Sequence, residues 1–263
     1  MNFDCIPASI RRQIEGQPYT VNETGMSGSS VLVFPDAVLK IGPQSVLTEG
    51  MLKVLRWLEG RLPAPRVLGF EQDAETEYLL MTRVPGKMAC DKSYLNQPEL
   101  LLKLLAEAIH MLWQTDITDC PQSRSLDGEL AHARYSLEHG LVDFSRCEPE
   151  TFGPGGFKSP EALLTWLENN KPPLEPVFSH GDCCLPNIFF DGDHVSGFID
   201  LGDSGIADKW RDLALCYRSL KHNTDGFYGF NLPGFQPEKL FDALGITPDW
   251  DKLRYYILLD EFF

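Results

Sequence analysis

The pattern of hydrophobic and polar positions divides the chain into a strand-rich beginning and a longer helical remainder. Short apolar runs, separated by Gly, Asn and Pro-Asp, predict strands at residues 19–25, 29–34, 37–42, 66–72 and 77–84. Between the third and fourth runs, apolar residues at helical spacing predict a helix over 45–62, which ends at a Pro-Ala-Pro sequence.

After Gly86 the periodicity becomes helical. We expect helices at 98–115, 125–140, 159–170, 208–223 and 249–263. One β-like stretch, at 178–200, interrupts them. The sequence therefore predicts an α+β fold, in which residues 1–85 form a small antiparallel β lobe and residues 86–263 form a larger, mainly helical lobe.

Charge and cysteine content narrow the possible partners and the location. The chain of 263 residues has 23 basic and 38 acidic side chains, and this net charge of −15 opposes binding to nucleic acid or to an anionic membrane. The net negative charge would favour a cationic ligand if the acidic side chains are concentrated at one site. Seven scattered cysteines without a Cys-x-x-Cys pair argue against a disulfide framework. With neither a secretory signal nor a membrane-length apolar run, we expect a cytoplasmic protein.

The stretch 178–200 contains histidine, cysteine and aspartate, so three kinds of site have to be weighed. Zinc sites pair their ligands within one turn, whereas Cys183 and Cys184 are adjacent and point in opposite directions in extended chain. A nucleophilic thiolate would be disfavoured by the nearby acids. We therefore interpret both cysteines as small, semi-buried residues and favour a site built on aspartate.

Spacing within this stretch matches the catalytic loop of kinases. His180-Gly181-Asp182 is followed by four residues and Asn187, the interval of the kinase H-R-D-x-x-x-x-N loop, and after twelve more residues by Asp200. Two short strands around an Asp-Gly turn would return the chain, so that Asp200 lies beside Asn187. Their oxygens suit Mg²⁺, and Asp182 is left to accept a hydroxyl proton and to aim that oxygen at a γ-phosphorus.

Two further aspartates follow this stretch. Asp208 and Asp212 lie at the start of the predicted helix 208–223. We expect structural roles for them, either in capping the start of that helix or in anchoring the catalytic loop.

Phosphoryl transfer would require a nucleotide site in the β lobe. Lys40 ends a predicted strand and Glu49 lies on the next helix, an arrangement that resembles the ion pair between a strand lysine and a helix glutamate in kinases. Ser27, in the Gly-containing segment 24–30, is the candidate for a hydrogen bond to the β-phosphate. No Walker A sequence occurs, which excludes a P-loop NTPase.

The segment 79–86 is the candidate adenine-binding linker. We expect its backbone to bind the adenine edge at Thr82 and Val84, with Met81 packed behind the ring. The same segment taken alone would be a buried strand, so this role depends on the kinase interpretation of the later stretch.

Longer segments resemble the aminoglycoside 3'-phosphotransferases, a family of cytoplasmic antibiotic-resistance kinases. The resemblance is carried by residues 25–31, 55–71, 79–86, 177–210 and 255–263, and so runs nearly end to end. It implies a protein-kinase-like fold and MgATP-dependent phosphorylation of the 3'-hydroxyl of kanamycin- and neomycin-type drugs. By matched position it also implies that Asp182 is the catalytic aspartate and that Asn187 and Asp200 are the magnesium ligands. It implies further that Lys40 and Glu49 position the phosphates and that Ser27 is the serine of the nucleotide loop.

The chain departs from the family pattern at two positions. Val38 stands where well-known members often carry an aromatic residue that stacks on adenine, so GTP is a second candidate phosphate donor beside ATP. Asp203 stands where arginine is common. This reverses the charge beside the substrate cleft and bears on the range of drugs accepted.

Acidic residues at two places indicate a polycationic acceptor. Asp260, Glu261 and the α-carboxylate of Phe263 would lie at the C-terminal end of the last helix, where the macrodipole disfavours each negative charge by up to about 1 kcal/mol. A ligand with several ammonium groups would supply the missing positive charge, and the family places its C-terminal acids in the drug site. Glu148, in a turn-rich insertion, resembles the acidic loop of the family that closes on the drug.

Two rival interpretations remain. A choline or homoserine kinase would keep the same catalytic loop, but choline is better held by aromatic side chains than by an acidic terminus. A non-catalytic nucleotide-binding module would usually lack one of the residues needed for phosphoryl transfer. This chain has all four of them, namely Lys40, Asp182, Asn187 and Asp200.

Overall fold

A computed structural model describes residues 5–22, 29–44, 48–73 and 75–263 of the chain. Its helices are α1 (Ala8–Ile14), α2 (Thr48–Leu58), α3 (Lys92–Leu95), α4 (Pro98–Gln114), α5 (Leu126–Glu138), α6 (Pro160–Asn169), α7 (Lys209–Thr224), α8 (Lys239–Leu244) and α9 (Trp250–Asp260). Its strands are β1 (Thr20–Asn22), β2 (Ser30–Val33), β3 (Ala37–Pro43), β4 (Val67–Gln72), β5 (Thr76–Thr82), β6 (Lys87–Met88), β7 (Pro176–Ser179), β8 (Ile188–Asp191), β9 (His194–Phe198) and β10 (Gly205–Asp208). Within the described ranges, no helix combines the length and the hydropathy that a membrane span requires.

Five strands form one antiparallel sheet in the order β1-β2-β3-β5-β4. Because successive side chains of a strand point to opposite faces, β5 contributes to two cores. Leu80 packs with Leu39 of β3 and Ile10 of α1 on one face. Leu79 and Met81 belong to the larger core on the other face, which includes α2. The sheet is thus covered by one helix on each side.

The helix α4 lies at the centre of the larger core. Its apolar residues occupy most of its circumference, and Leu101, Leu104, Leu105, Ile109 and Leu112 are fully buried. A helix that is apolar on most sides belongs inside a fold. It contacts α3, α7, α8, β7 and β9, so it supports both the helices and the strands around the predicted catalytic stretch.

Most of the predicted elements are present. The five predicted strands correspond to β1–β5, and the predicted helices correspond to α2, α4, α5, α6, α7 and α9. The β-like stretch at 178–200 contains the β8–β9 hairpin, which β6 extends, and the end of β7, which pairs with β10. Sequence patterns missed α1, α3, α8, β6 and β10, because elements of two to seven residues carry too little periodicity.

A polar cluster fixes the start of β7, the strand that leads to the catalytic stretch. Glu175 accepts hydrogen bonds from Lys252 Nζ at 2.8 Å and from Trp210 Nε1 at 2.8 Å. Lys209 Nζ lies 2.6 Å from its other carboxylate oxygen. Hydrogen bonds from Lys209, Lys252 and Trp210 lower the pKa of Glu175 to about 2. The cluster therefore ties β7 to α7 and α9.

Glu175→Gln should lower the free energy of unfolding at neutral pH by about 1 kcal/mol, since solvent screens this half-exposed site. The pKa of Glu175 in the folded chain lies below its unfolded value of 4.5, so the stabilisation is complete above that value and is lost as the pH falls toward about 2. Urea unfolding of wild type and variant, followed from neutral pH down into this window, should show their difference shrinking. A difference that does not change with pH would contradict the assignment.

Candidate active site

A buried aspartate of α7 holds the turn at the end of β7. Asp212 is fully buried, and its carboxylate accepts hydrogen bonds from Ser179 Oγ at 2.9 Å, from the His180 N–H at 2.8 Å and from the Gly181 N–H at 3.0 Å. Burial raises the pKa of Asp212, and these hydrogen bonds oppose the rise. The predicted structural roles are confirmed, since Asp208 caps α7 by accepting a hydrogen bond from the Trp210 N–H.

Asp182 follows this anchored turn and is oriented by Asn187. The Asn187 Nδ2 donates to the Asp182 carboxylate at 2.8 Å and to the Asp182 carbonyl at 3.0 Å. The buried His180 ring connects the turn to the hairpin, since its Nε2 lies 2.9 Å from the Ile199 carbonyl oxygen and its Nδ1 accepts from the Asp182 N–H at 3.3 Å. The carboxylate of Asp182 therefore has a fixed position relative to the β8–β9 hairpin.

The β8–β9 hairpin returns Asp200 to the neighbourhood of Asn187, as predicted. The Ile199 N–H donates to the Asn187 carbonyl at 2.9 Å. Asp200 has left-handed backbone angles, with φ 60° and ψ 53°, which are uncommon outside glycine and recur at functional sites. Lys40 Nζ lies 2.8 Å from Asp200 Oδ1, so β3 brings a cation to the same point.

The donor atoms of Asn187 and Asp200 fit a magnesium ion. Asn187 uses its Nδ2 on Asp182, which leaves its Oδ1 as an acceptor. The Asp200 side chain is 57 % exposed and offers carboxylate oxygens. A small number of hard oxygen ligands is the usual protein contribution to bound Mg²⁺, which keeps waters and phosphate oxygens in its remaining positions.

The expected ion pair between Lys40 and Glu49 has to be corrected. Lys40 is bound to Asp200, while Glu49 in the first turn of α2 pairs with Lys53 at 2.6 Å. Lys53 lies one helical turn further along, where a partner is easily reached, and it lowers the pKa of the exposed Glu49. The phosphate role of Lys40 stays a prediction, and Ser27 lies outside the described residues.

The predicted adenine linker begins at the end of β5. Met81 is buried and lies opposite Val38 on the neighbouring strand, so both residues form an apolar wall. The Thr82 N–H donates to the Arg66 carbonyl at 2.9 Å and is not free for adenine. Val84, which is buried, stays the backbone candidate of this segment.

Asp203 is held by a cation that no sequence pattern had identified. Arg124 forms an ion pair with the Asp203 carboxylate and donates to the Gly202 carbonyl at 3.0 Å and to the Asp203 carbonyl at 3.2 Å. Arg124 thereby clamps the turn directly after Asp200. Gly181 packs against the same turn, where a Cβ would lie 2.1 Å from the Asp203 carbonyl oxygen and φ is +88°, so glycine is required. The reversed charge at position 203 is thus offset locally.

Glu148 and Glu261 belong to one buried network. Glu261 Oε1 accepts hydrogen bonds from the Glu148 N–H and from Thr151 Oγ1, both at 2.9 Å. The Glu148 carboxylate lies 3.3 Å from His222 Nε2. Burial acts to raise the pKa of Glu148, but the hydrogen bond from His222 and its charge outweigh it and lower that pKa. Glu261 therefore holds the loop that carries Glu148, where the sequence had suggested a carboxylate exposed to a ligand.

Asp260, near the C-terminus, is bound to the helix that also contacts the catalytic loop. Asp260 forms an ion pair with Arg218 of α7. The Leu185 N–H, three residues after Asp182, donates to Ser219 Oγ at 3.0 Å, next to Arg218 on the same helix. The Phe263 side chain is exposed, and its ring centroid lies 5.1 Å from that of His132. Asp260 therefore has a cationic partner within the chain, and the binding of an acceptor by the terminal acids stays a prediction.

The chain matches the model of the phosphotransferase enzyme family over residues 19–256. It is 44% identical over 212 residues to an aminoglycoside 3'-phosphotransferase of Enterococcus faecalis, covering 80% of this chain and 76% of that one. It is 37% identical over 253 residues to the aminoglycoside 3'-phosphotransferase of Niallia circulans, covering 93% and 92%. The chain belongs to the aminoglycoside 3'-phosphotransferase family.

Solved structures of aminoglycoside phosphotransferases share its fold. The crystal structure of an aminoglycoside 3'-phosphotransferase of type VIII has a TM-score of 0.78 at 30% identity, covering 97% of this chain and 96% of that one. Aminoglycoside phosphotransferase APH(3'')-Id from Streptomyces rimosus has a TM-score of 0.80 at 26% identity, with the same coverage. The predicted kinase-like fold and the predicted family are confirmed.

Sequence patterns did not identify three basic residues that pair with acids in this aminoglycoside 3'-phosphotransferase family member: Arg124, Arg218 and His222. Arg124 is far in sequence from Asp203, and no local pattern connects them. Arg218 and His222 are four residues apart on α7, so they lie on one helix face. That spacing, on the helix that follows the catalytic stretch, is the signal that could have identified them as partners for acids.

Asp212→Asn should destabilise the fold by about 1–3 kcal/mol, because an amide nitrogen would face N–H donors and leave at least one of them buried without a partner. We expect kcat to fall as well, since the turn that places Asp182 loses a hydrogen bond. Thermal unfolding and steady-state kinetics measure both effects. Asp116→Asn is the matched control, because Asp116 is exposed and accepts a hydrogen bond from the Thr118 N–H at 2.9 Å within its own loop. Wild-type stability in Asp212→Asn would contradict the anchoring role.

Proposed function

We propose that this enzyme transfers the γ-phosphate of ATP, with Mg²⁺, to the 3'-hydroxyl of aminoglycosides of the kanamycin and neomycin type. The observation that carries the proposal is the convergence of Asp182, Asn187, Asp200 and Lys40 at one point between β3 and the β8–β9 hairpin. Relatives named as aminoglycoside 3'-phosphotransferases support the reaction. APH(3'')-Id from Streptomyces rimosus has been solved with ADP and streptomycin, which supports a nucleotide and a drug site on this fold.

In the proposed reaction, Asp182 orients the attacking hydroxyl. Its carboxylate accepts the hydroxyl proton as the bond between the sugar oxygen and the γ-phosphorus forms, and the bond to the β-phosphate oxygen breaks to leave ADP. The hydrogen bond from Asn187 Nδ2 at 2.8 Å sets the direction of this carboxylate. Asn187 and Asp200 would hold Mg²⁺, which offsets charge on the phosphates when bound. Lys40 adds a second positive charge on the nucleotide side.

The acceptor would bind on the other side of Asp182. The chain carries a net charge of −15, which attracts a polycation from a distance. Asp260 and Glu148 pair with Arg218 and His222 respectively, on the helix whose Ser219 Oγ accepts a hydrogen bond from the Leu185 N–H of the catalytic loop. We infer that ammonium groups of the acceptor share or replace these partners on binding. An exchange of this kind favours ligands with several charges, because a single ammonium group would replace only one of them.

The proposal also covers the division of the chain and its location. We propose that residues 1–85 form the nucleotide-binding lobe and residues 86–263 the catalytic and acceptor-binding lobe. All seven cysteines are free thiols, which suits the reducing cytoplasm where ATP is supplied. GTP stays a second candidate donor, because Val38 and Met81 supply an apolar wall without an aromatic ring.

Release of ADP from MgATP should occur with kanamycin and not with tobramycin, which lacks the 3'-hydroxyl. A coupled assay with purified enzyme measures both, and a repeat with GTP tests the second donor. Turnover with both drugs would place the target hydroxyl elsewhere and leave the kinase assignment. Release with neither drug and neither nucleotide would overturn the proposed function.

Asp182→Asn should lower kcat with kanamycin by about 10²–10⁴-fold, because the amide cannot take up the hydroxyl proton. The KM for ATP should stay near the wild-type value, since Lys40, Asn187 and Asp200 are unchanged. Asp193→Asn is the control from the same stretch, because Asp193 is exposed in the hairpin turn. Retained turnover in a folded Asp182→Asn protein would rule out the role given to this aspartate.

A further inference from the structure

Two large aromatic side chains are exposed on the loop after α7. Phe227 is 62% exposed and Tyr228 is 63% exposed, which is more than most large apolar side chains of this chain. Burying rings of this size is favourable, so an exposed adjacent pair in a defined position indicates a binding surface. The function derived above does not use either ring.

The loop holds the two rings in a fixed position. The Phe227 N–H donates to Asp225 Oδ1 at 3.0 Å, and the Tyr228 N–H donates to the His222 carbonyl at 3.3 Å. The Leu232 N–H donates to the Thr224 carbonyl at 2.8 Å, and Asp225 pairs with Asn231 in an isolated antiparallel β-bridge. The loop is therefore pinned back onto the end of α7, and the exposure of the rings follows from its backbone.

The rings also support each other. Phe227 stacks on His222 with ring centroids 4.3 Å apart and planes 15° apart. Tyr228 meets Phe227 edge to face at 5.0 Å, and meets His222 at 5.9 Å. These geometries are the favoured ones for aromatic pairs, so the three rings form a rigid corner with two faces. We call Phe227 and Tyr228 the aromatic corner.

The aromatic corner adjoins the acceptor side of the catalytic loop. His222, which supports both rings, lies 3.3 Å from the Glu148 carboxylate. The catalytic loop contacts the same helix, since the Leu185 N–H donates to Ser219 Oγ at 3.0 Å, one turn of α7 before His222. Leu185 is three residues from Asp182. The corner therefore lies beside the part of α7 that contacts both the catalytic loop and the loop of Glu148.

The charged groups around the corner favour a cationic occupant. The Glu148 carboxylate lies 3.3 Å from His222, the Asp225 carboxylate accepts a hydrogen bond from the Phe227 N–H at 3.0 Å, and Asp260 pairs with Arg218. Arg218 is neutralised by its ion pair with Asp260. Lys221 is the neighbouring cation of α7, one residue before His222. The face of an aromatic ring attracts ammonium groups, and acids beside the ring strengthen that attraction.

We propose that Phe227 and Tyr228 determine acceptor specificity by binding an amino-sugar or aminocyclitol ring of the acceptor. One ring face packs against the C–H face of the sugar, and the ring quadrupole attracts an ammonium group that Glu148 also attracts. The proposal rests on the proposed function, since it names the occupant of the same site. It adds two residues that act on acceptor binding and leave the phosphoryl-transfer step unchanged.

Binding of kanamycin without nucleotide, measured by isothermal titration calorimetry, tests the aromatic corner separately from turnover. Phe227→Ala with Tyr228→Ala should weaken kanamycin binding by about 3–30-fold, the range of an exposed to a desolvated cation–π contact. Phe227→Leu should weaken it almost as much, because it keeps apolar area and loses the ring face. Tyr228→Phe should bind like wild type, because it keeps the ring.

A matched control is Tyr135→Ala, because Tyr135 is 53% exposed and stacks on His139 at 3.9 Å on the surface of α5. It should bind kanamycin and ATP like wild type. In turnover, the double alanine variant should raise the KM for kanamycin by the same factor, with kcat and the KM for ATP within about 2-fold of wild type. Thermal unfolding checks that each variant is folded.

The possible outcomes separate the two proposals. Wild-type affinity for kanamycin in the folded double alanine variant would overturn the role of the aromatic corner and leave the proposed function in place. Weaker binding in Tyr228→Phe would assign the effect to the hydroxyl and overturn the cation–π account. If wild type binds kanamycin but does not turn it over, the phosphotransferase proposal fails while the corner is still tested. If wild type does not bind kanamycin, both proposals fail.

Discussion

The geometry of the catalytic stretch depends on one buried carboxylate, that of Asp212. It accepts three hydrogen bonds from the consecutive residues Ser179, His180 and Gly181, and so fixes the turn at the point where β7 ends. A buried carboxylate is costly unless it is well hydrogen-bonded, and its donors here are two backbone N–H groups and the Ser179 hydroxyl at the start of the catalytic loop. The same interaction therefore satisfies the charge of Asp212 and determines where Asp182 points.

The remaining contacts around the site lie on two sides of this fixed turn. Toward the nucleotide, Asn187 links Asp182 to the hairpin that returns Asp200, and Arg124 clamps the turn after Asp200. Toward the acceptor, acids are abundant but each of the important ones has a partner within the chain, as in the pairs of Asp260 with Arg218 and of Glu148 with His222. The two proposed substrate sites thus differ in kind. The proposed nucleotide side has a preformed set of side chains, whereas the proposed acceptor side has ion pairs that we expect a polycation to exchange.

Sequence patterns predicted those parts of the fold and site that are determined locally or by regular spacing. The strands β1–β5, the long helices and the meeting of Asn187 with Asp200 follow from periodicity and from the hairpin turn. Side-chain pairs between segments that are distant in the chain could not be predicted in this way. The sequence could not show that Lys40 pairs with Asp200, or that Glu261 is used to hold the Glu148 loop. Such pairings depend on how distant segments of the chain pack together, and a local sequence pattern carries no information about that packing.

The most direct test of the central claim, that Asp182 directs the γ-phosphate onto one sugar hydroxyl, is the position of the phosphate in the product. Kanamycin incubated with the enzyme and MgATP can be analysed by two-dimensional phosphorus–proton NMR. The account predicts one phosphorylated product, with a phosphorus coupling to the proton on the carbon that carries the 3'-oxygen. Phosphate on another hydroxyl, or release of inorganic phosphate without a phosphorylated drug, would contradict it.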